Sequence, residues 1–170
     1  MSYDPNIHRR RSIRLQGYDY SQAGLYFITL CCYNKSHLFG KVENDQMLLN
    51  DAGKIARDEW FKTPEIRPNI ALAEFIVMPN HVHGIVVVKY SEENAQSTIQ
   101  RLNGTSHTIG AIVRGYKSVV TRKISLMSAS LTTVWQRNYY EHIIRTDESY
   151  HNIANYIINN PANWRSDSLL

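Results

Sequence analysis

Two runs of β-branched and large apolar residues, Glu74-Phe75-Ile76-Val77-Met78 and Ile85-Val86-Val87-Val88, are separated only by Pro79 to Gly84. Neither run has helical periodicity, so both are strands, and so short a connection folds them into a β-hairpin with Pro79-Asn80 at its turn. The hairpin fixes the direction of two side chains. His81 and His83 open the second strand at spacing i, i+2, which projects both imidazoles from one face with about 7 Å between their Cα atoms. A helix would splay them. By itself the pair is open to two readings, a metal site or two edge histidines satisfied by water and backbone.

The remaining elements fall in order around that hairpin. Leu25-Tyr26-Phe27-Ile28-Thr29-Leu30-Cys31-Cys32 is nearly continuous in apolar and β-prone residues, as expected of a central strand buried on both faces. Leu48, Leu49, Ile55, Ala56 and Trp60 suggest an amphipathic helix with Asn50 or Asp51 in its early turn, closed by Pro64 and Pro68. Ile70 to Met78 is the next strand. The stretch from Ser91 to His107 is polar and without apolar period, which predicts a long surface loop. Ile109, Ile112, Val113, Tyr116, Val119, Val120 and Ile124 recur at helical spacing, and Val134 to Arg145 predicts a strand. Thr146 or Asp147 can cap a last helix with Tyr150, Ile153, Ala154 and Ile157 as its apolar stripe, ending near Pro161.

Strand, helix, strand, strand, helix, strand is the split βαβ order of a ferredoxin-like α+β sandwich (βαββαβ), here with an additional C-terminal helix. The 170 residues, 43% of them hydrophobic, suit one domain. The expected division is a basic arm over 1–24, the domain over 25–164 and a short tail over 165–170. Nothing approaches the roughly 20 apolar residues of a membrane span, and the N-terminus lacks a signal-peptide pattern, so a cytoplasmic protein is expected. Cys31 and Cys32, the only cysteines, are adjacent and are expected to stay reduced.

The net charge of +4 is compatible with nucleic acid and equally with an ordinary solvated surface. Arg10, Arg11 and Arg14 belong to a basic arm; Arg114, Lys117 and Arg122 share a helix, and Arg137 and Arg145 a strand. Any of them can contact phosphate, though surface charge alone accounts for each. Tyr139 and Tyr140 either stack bases or alternate between core and surface. On the last helix, Tyr156 and Asn160 lie one turn apart and within about 40° of each other, beside the apolar stripe. They can face the sheet together, or serve as a packed aromatic and a C-terminal cap.

Pro79-Asn80-His81-Val82-His83-Gly84, Trp135 to Arg145, and Tyr156-Ile157-Ile158-Asn159-Asn160-Pro161 together resemble the single-tyrosine HUH transposases, specifically their REP-associated tyrosine transposase branch. The match runs from about Arg9 to Trp164. This resemblance implies a nuclease core that cuts and rejoins single-stranded DNA beside imperfect palindromic hairpins. It implies His81, His83 and Asn160 as ligands of a divalent cation, Mg²⁺ or Mn²⁺, and Tyr156 as the catalytic nucleophile forming a 5′-phosphotyrosine. His142, on the strand before the nucleophile helix, is a candidate for orienting a ligand, or else a structural residue. Relatives act as monomers or as dimers that exchange the tyrosine helix, so a homodimer is one possible state. Two other classes compete: a non-catalytic hairpin-binding module on the same fold, and a zinc hydrolase, for which Glu74 is the only nearby acidic candidate.

Overall fold

The computed structural model describes residues 22–89, 108–127, 133–167 and 169. Strands β1 (Gly24–Cys31), β4 (Ile70–Val77), β5 (His81–Val88) and β6 (Tyr140–Ile144) form one sheet in the order β4-β5-β1-β6, every neighbouring pair antiparallel. β1 and β4 are thus parallel with β5 between them, and β5 and β6 are parallel with β1 between them. Those are the two interleaved βαβ units expected from the sequence, crossed over by α1 (Asp51–Phe61) and α3 (Ile109–Met127). Among the described residues no helix is long and apolar enough to cross a membrane.

Alternation along β1 and β5 divides the core in two. Tyr26, Ile28 and Leu30 of β1 and Val82, Val86 and Val88 of β5 join Trp60 of α1 and Ile112, Tyr116 and Val120 of α3 in the larger cluster. Phe27 and Ile85, pointing the other way, pack with Ile144 and with Ile157 of α4 (Asp147–Asn159). The two crossover helices cover one face and the C-terminal helix covers the opposite one. Gly84 lies on the crossover-helix face, where a Cβ would overlap the Trp60 ring, itself stacked on Phe75 at 4.8 Å.

Three local readings change. Leu48 and Leu49 are not helical: Gly40–Glu43 and Gln46–Leu49 form a separate two-stranded ribbon, β2 and β3. Asn44 and Asp45 take left-handed φ values of 49° and 60° in the two-residue turn between them. The helix begins only at Asp51, with the Asn50 side chain accepting from Gly53 N as its cap. Pro64 does not end a helix but sits in the first turn of a short one, α2 (Thr63–Ile66), where a missing N–H costs nothing. Finally, the expected strand over 134–145 is interrupted. Thr29 pairs with Tyr140 and Cys32 with Trp135, three steps along one chain against five along the other, so residues 137–139 leave the ladder while Gln136 N still donates to Cys31 O. Lys117 takes up two freed carbonyls, donating to Gln136 O at 2.7 Å and Asn138 O at 2.9 Å. The arm through residue 21 and the polar stretch over 91–107 lie outside the described residues.

Candidate active site and metal centre

The Pro79-Asn80 turn is buried, which is unusual for a hairpin tip. Its carbonyls accept from Phe39 N and Cys32 N at 3.0 and 2.7 Å, and Met78 N donates to His81 O, so the start of β5 is held from three sides. Asn80, only 1% exposed, turns its amide inward. Its Nδ2 donates to Leu169 O at 2.7 Å, which leaves Oδ1 facing His81 Nδ1 at 2.7 Å. Oδ1 can only accept, so Nδ1 carries the proton and His81 Nε2 carries a free lone pair. Thr29, the cross-strand partner of His83, meets His83 Nδ1 at 2.8 Å. With Thr29 accepting there, His83 Nε2 is the second lone pair.

The last helix brings the other groups. Thr146 caps it through Ser149 N, and Ile157, 1% exposed, seats it on Phe27 and Ile85. Tyr150 donates to both Glu74 oxygens at 2.9 Å, tying the helix to β4. In that register the Tyr156 hydroxyl lies 3.3 Å from His83 Nε2, its ring 5.2 Å from the imidazole. Asn160, one turn on and 1% exposed, has its amide beside His81 and Tyr156. Beyond it the chain folds back through a 3-10 turn (Trp164–Ser166) that sets Trp164 over His81. Asp167 follows, its side chain 2% exposed, with Oδ2 3.8 Å from His81 Nε2.

Three buried atoms here have no hydrogen-bond partner among the described residues: His81 Nε2, Asn160 Oδ1 and Asp167 Oδ2. Unpaired buried polar atoms are costly, and three at one place call for a common partner. The donor atoms of His81, His83 and Asp167 lie within 4.8 Å of one another, a group able to hold a metal ion. Ligands about 2.1 Å from one cation stand about 3 Å apart when adjacent and about 4.2 Å when opposite, and the His81 to Asp167 separation falls in that range. Burial holds His81 down to about 4 against the partial support of Asp167 and Asn160. Burial and then His81 push His83 well below the ordinary imidazole value. Both are neutral at neutral pH, the state a cation requires. The Tyr156 phenol is raised by burial and by Asp167, with Asn160 opposing.

Of the residues singled out in the sequence, His81, His83, Tyr156 and Asn160 come together. His142 pairs with Phe27, two residues along β1 from the level of His83, and lines a neighbouring groove against the first turns of α4. Lys117 is committed to the two carbonyls described above, and burial lowers its pKa to about 8. Arg114, Arg122, Arg137 and Arg145 are exposed; Arg10, Arg11 and Arg14 lie outside the described residues. Asn80, Thr29 and Asp167 were missed. The first two had a signal, Asn80 adjoining the histidine pair and Thr29 being the one polar residue inside an apolar strand. Asp167 had none, because it fell in the stretch expected to be a tail.

The sheet is ferredoxin-like and presents two histidines from one strand to a tyrosine on the C-terminal helix. No protein-family model matches the chain. An uncharacterized protein of Haemophilus influenzae is 45% identical over 174 residues, covering 98% of this chain and 96% of its own length. A putative REP-associated tyrosine transposase of the same organism is 23% identical over 153 residues, 85% of this chain and 73% of its own. A solved REP-associated tyrosine transposase bound to a REP hairpin superposes with a TM-score of 0.60 at 20% identity, covering 89% of this chain and 74% of that one, and shows the shared fold. The chain belongs to one family with its uncharacterized Haemophilus relative, and it is similar to REP-associated tyrosine transposases in sequence and in fold.

Proposed function

We propose that this protein cuts and rejoins single-stranded DNA beside palindromic hairpins, with Tyr156 as nucleophile. The observation that carries the reading is the Tyr156 hydroxyl 3.3 Å from His83 Nε2, beside the three unpaired buried atoms. In the reaction the Tyr156 oxygen bonds to phosphorus as the bond to the 3′-oxygen breaks. The phenol proton passes to solvent and the leaving oxygen takes one up. The resulting phosphotyrosine retains the energy of the broken ester, so the reverse attack can rejoin a strand. Tyr156 is 43% exposed, which leaves it open to a phosphodiester while its neighbours are buried.

His81 and His83, with oxygen from Asn160 or Asp167, would hold a divalent cation. Mg²⁺ or Mn²⁺ is favoured by the resemblance and by the oxygen donors. Bound there, the ion would polarise the phosphate and stabilise the expelled oxygen. His83 Nε2, the atom that now meets the Tyr156 hydroxyl at 3.3 Å, would be the one offered to the ion, and the hydroxyl would then be released from that hydrogen bond. Hairpin DNA as the partner rests on the solved relative, which is bound to a REP hairpin. The exposed arginines on α3 and around β6, together with the arm, would supply sequence-independent phosphate contacts.

The test is a labelled hairpin with single-stranded flanks, incubated with Mn²⁺ and resolved under denaturing conditions. Wild type should give a covalent protein-DNA band and Tyr156→Phe should not, while hairpin binding survives in both. Hairpin binding by wild type with no cleavage in Mg²⁺ or Mn²⁺ would leave the chain a binding module.

A further inference from the structure

Resting on the assignment of Tyr156, we infer that Tyr140 is the stacking platform for an unpaired DNA base next to the attacked phosphate, and that the groove beyond Tyr140 reads that base's edge. Tyr140 and Tyr139 are neighbours in sequence but not in role. Tyr139 packs partly buried against the large core and reaches only the groove that holds His83 and Tyr156, whereas Tyr140 pairs with Thr29, level with His83 on the site face, is 45% exposed and lines the grooves on both sides. Phe27, buried between them, meets the Tyr140 ring at 6.2 Å, the Tyr156 ring at 6.3 Å and the His83 ring at 5.3 Å. Tyr140 and Tyr156 are therefore two exposed rings braced on one fixed aromatic.

A groove lies on each side of this pair, and Phe27 and Tyr140 line both. One, about 450 Å³, contains His83 and Tyr156; the other, about 430 Å³, contains His142, Glu148, Ser149 and Asn152. A strand crossing from the first to the second must pass over Tyr140. No lysine or arginine lines the second groove among the described residues. The Glu148 carboxylate disfavours a phosphate in this groove, so the phosphate runs outside and the base turns in. Glu148 accepts hydrogen bonds and Asn152 both donates and accepts. The groove thus favours a base with an exocyclic amino group, cytosine over thymine among pyrimidines of equal ring size.

The experiment is fluorescence anisotropy of labelled oligo-dC and oligo-dT with the full chain in metal-free buffer. Tyr140→Phe should bind as wild type. Tyr140→Ala and Tyr140→Leu should bind roughly 5- to 150-fold more weakly, the loss of one base-aromatic stack. Glu148→Gln should abolish the preference for dC. Far-ultraviolet circular dichroism confirms that each variant is folded, and Leu retains apolar bulk where Ala does not. Binding by both Tyr140 variants at wild-type strength, or an equal dC preference in Glu148→Gln, overturns the inference. Covalent adduct formation is scored separately, on a hairpin with single-stranded flanks in Mn²⁺. An adduct in wild type together with unaltered Tyr140 variants refutes the platform and leaves Tyr156 standing; no adduct with the Tyr140 dependence intact refutes Tyr156 instead.

Discussion

Asn80 is where the account can be pressed hardest, because one side chain fixes the tautomer of His81 and anchors the returning chain end. Asn80→Ala removes the acceptor 2.7 Å from His81 Nδ1 and the donor 2.7 Å from Leu169 O. The imidazole N–H is left buried and unpaired, a cost of about 1–3 kcal/mol. The half-buried Leu169 carbonyl can regain water and adds little. For a chain of this size that lowers the melting temperature by roughly 2–12 °C. Nothing then favours the tautomer with its lone pair on Nε2, and loss of such an orienting partner weakens metal affinity by about 10- to 100-fold. Asn80→Asp separates the two roles, since a carboxylate still accepts from Nδ1 but cannot donate to Leu169. Mn²⁺ titration followed by paramagnetic resonance, with thermal melts of the metal-free protein alongside, reads both effects. Affinity should fall in Ala and persist in Asp. Equal Mn²⁺ affinity in wild type and Ala would refute the orienting role of Asn80.

Three further outcomes follow from particular contacts. Gly84→Ala should destabilise by about 1–3 kcal/mol in denaturant unfolding, because the new methyl must displace Trp60 from its stack on Phe75; unchanged stability would contradict the packing. Burial raises the Glu59 carboxyl, but hydrogen bonds from Lys123 and Lys62 outweigh it and hold it below its ordinary value of 4.5. The unfolded chain then binds the proton more readily, so this stabilisation is complete above 4.5 and is lost as pH falls through the lowered value. Glu59→Gln should flatten the acid limb of the stability curve below that pH, as measured by urea unfolding at a series of pH values. Asn160→Ala and Asp167→Asn should each weaken Mn²⁺ binding by calorimetry, and binding unaffected by either would remove oxygen donors from the site.

The hairpin and the helix stripes were legible because each expresses a period that burial enforces. Ile157 and Ala154 face the sheet for the same reason that Tyr156 and Asn160 flank them. The β2-β3 ribbon was not legible from apolar spacing, since Leu48 and Leu49 sit close enough to Ile55 to imitate a helix. The available signal was Asn44-Asp45, a pair suited to the left-handed turn it makes. The break at 137–139 has a different origin, in a sheet register that no local pattern encodes. Asp167 reaches His81 because the chain reverses after α4 through the turn bearing Trp164. A lone aspartate in a polar stretch carries no trace of that return.

The central claim is that Tyr156 becomes covalently joined to DNA. The measurement that meets it most directly is to trap the adduct on a single-stranded hairpin substrate with Mn²⁺, digest both components and identify the nucleotide-bearing residue by tandem mass spectrometry. The account predicts one modified peptide, with a 5′-linked nucleotide on Tyr156. An adduct on Tyr140, Tyr150 or any other residue, or cleavage with no adduct at all, would contradict it.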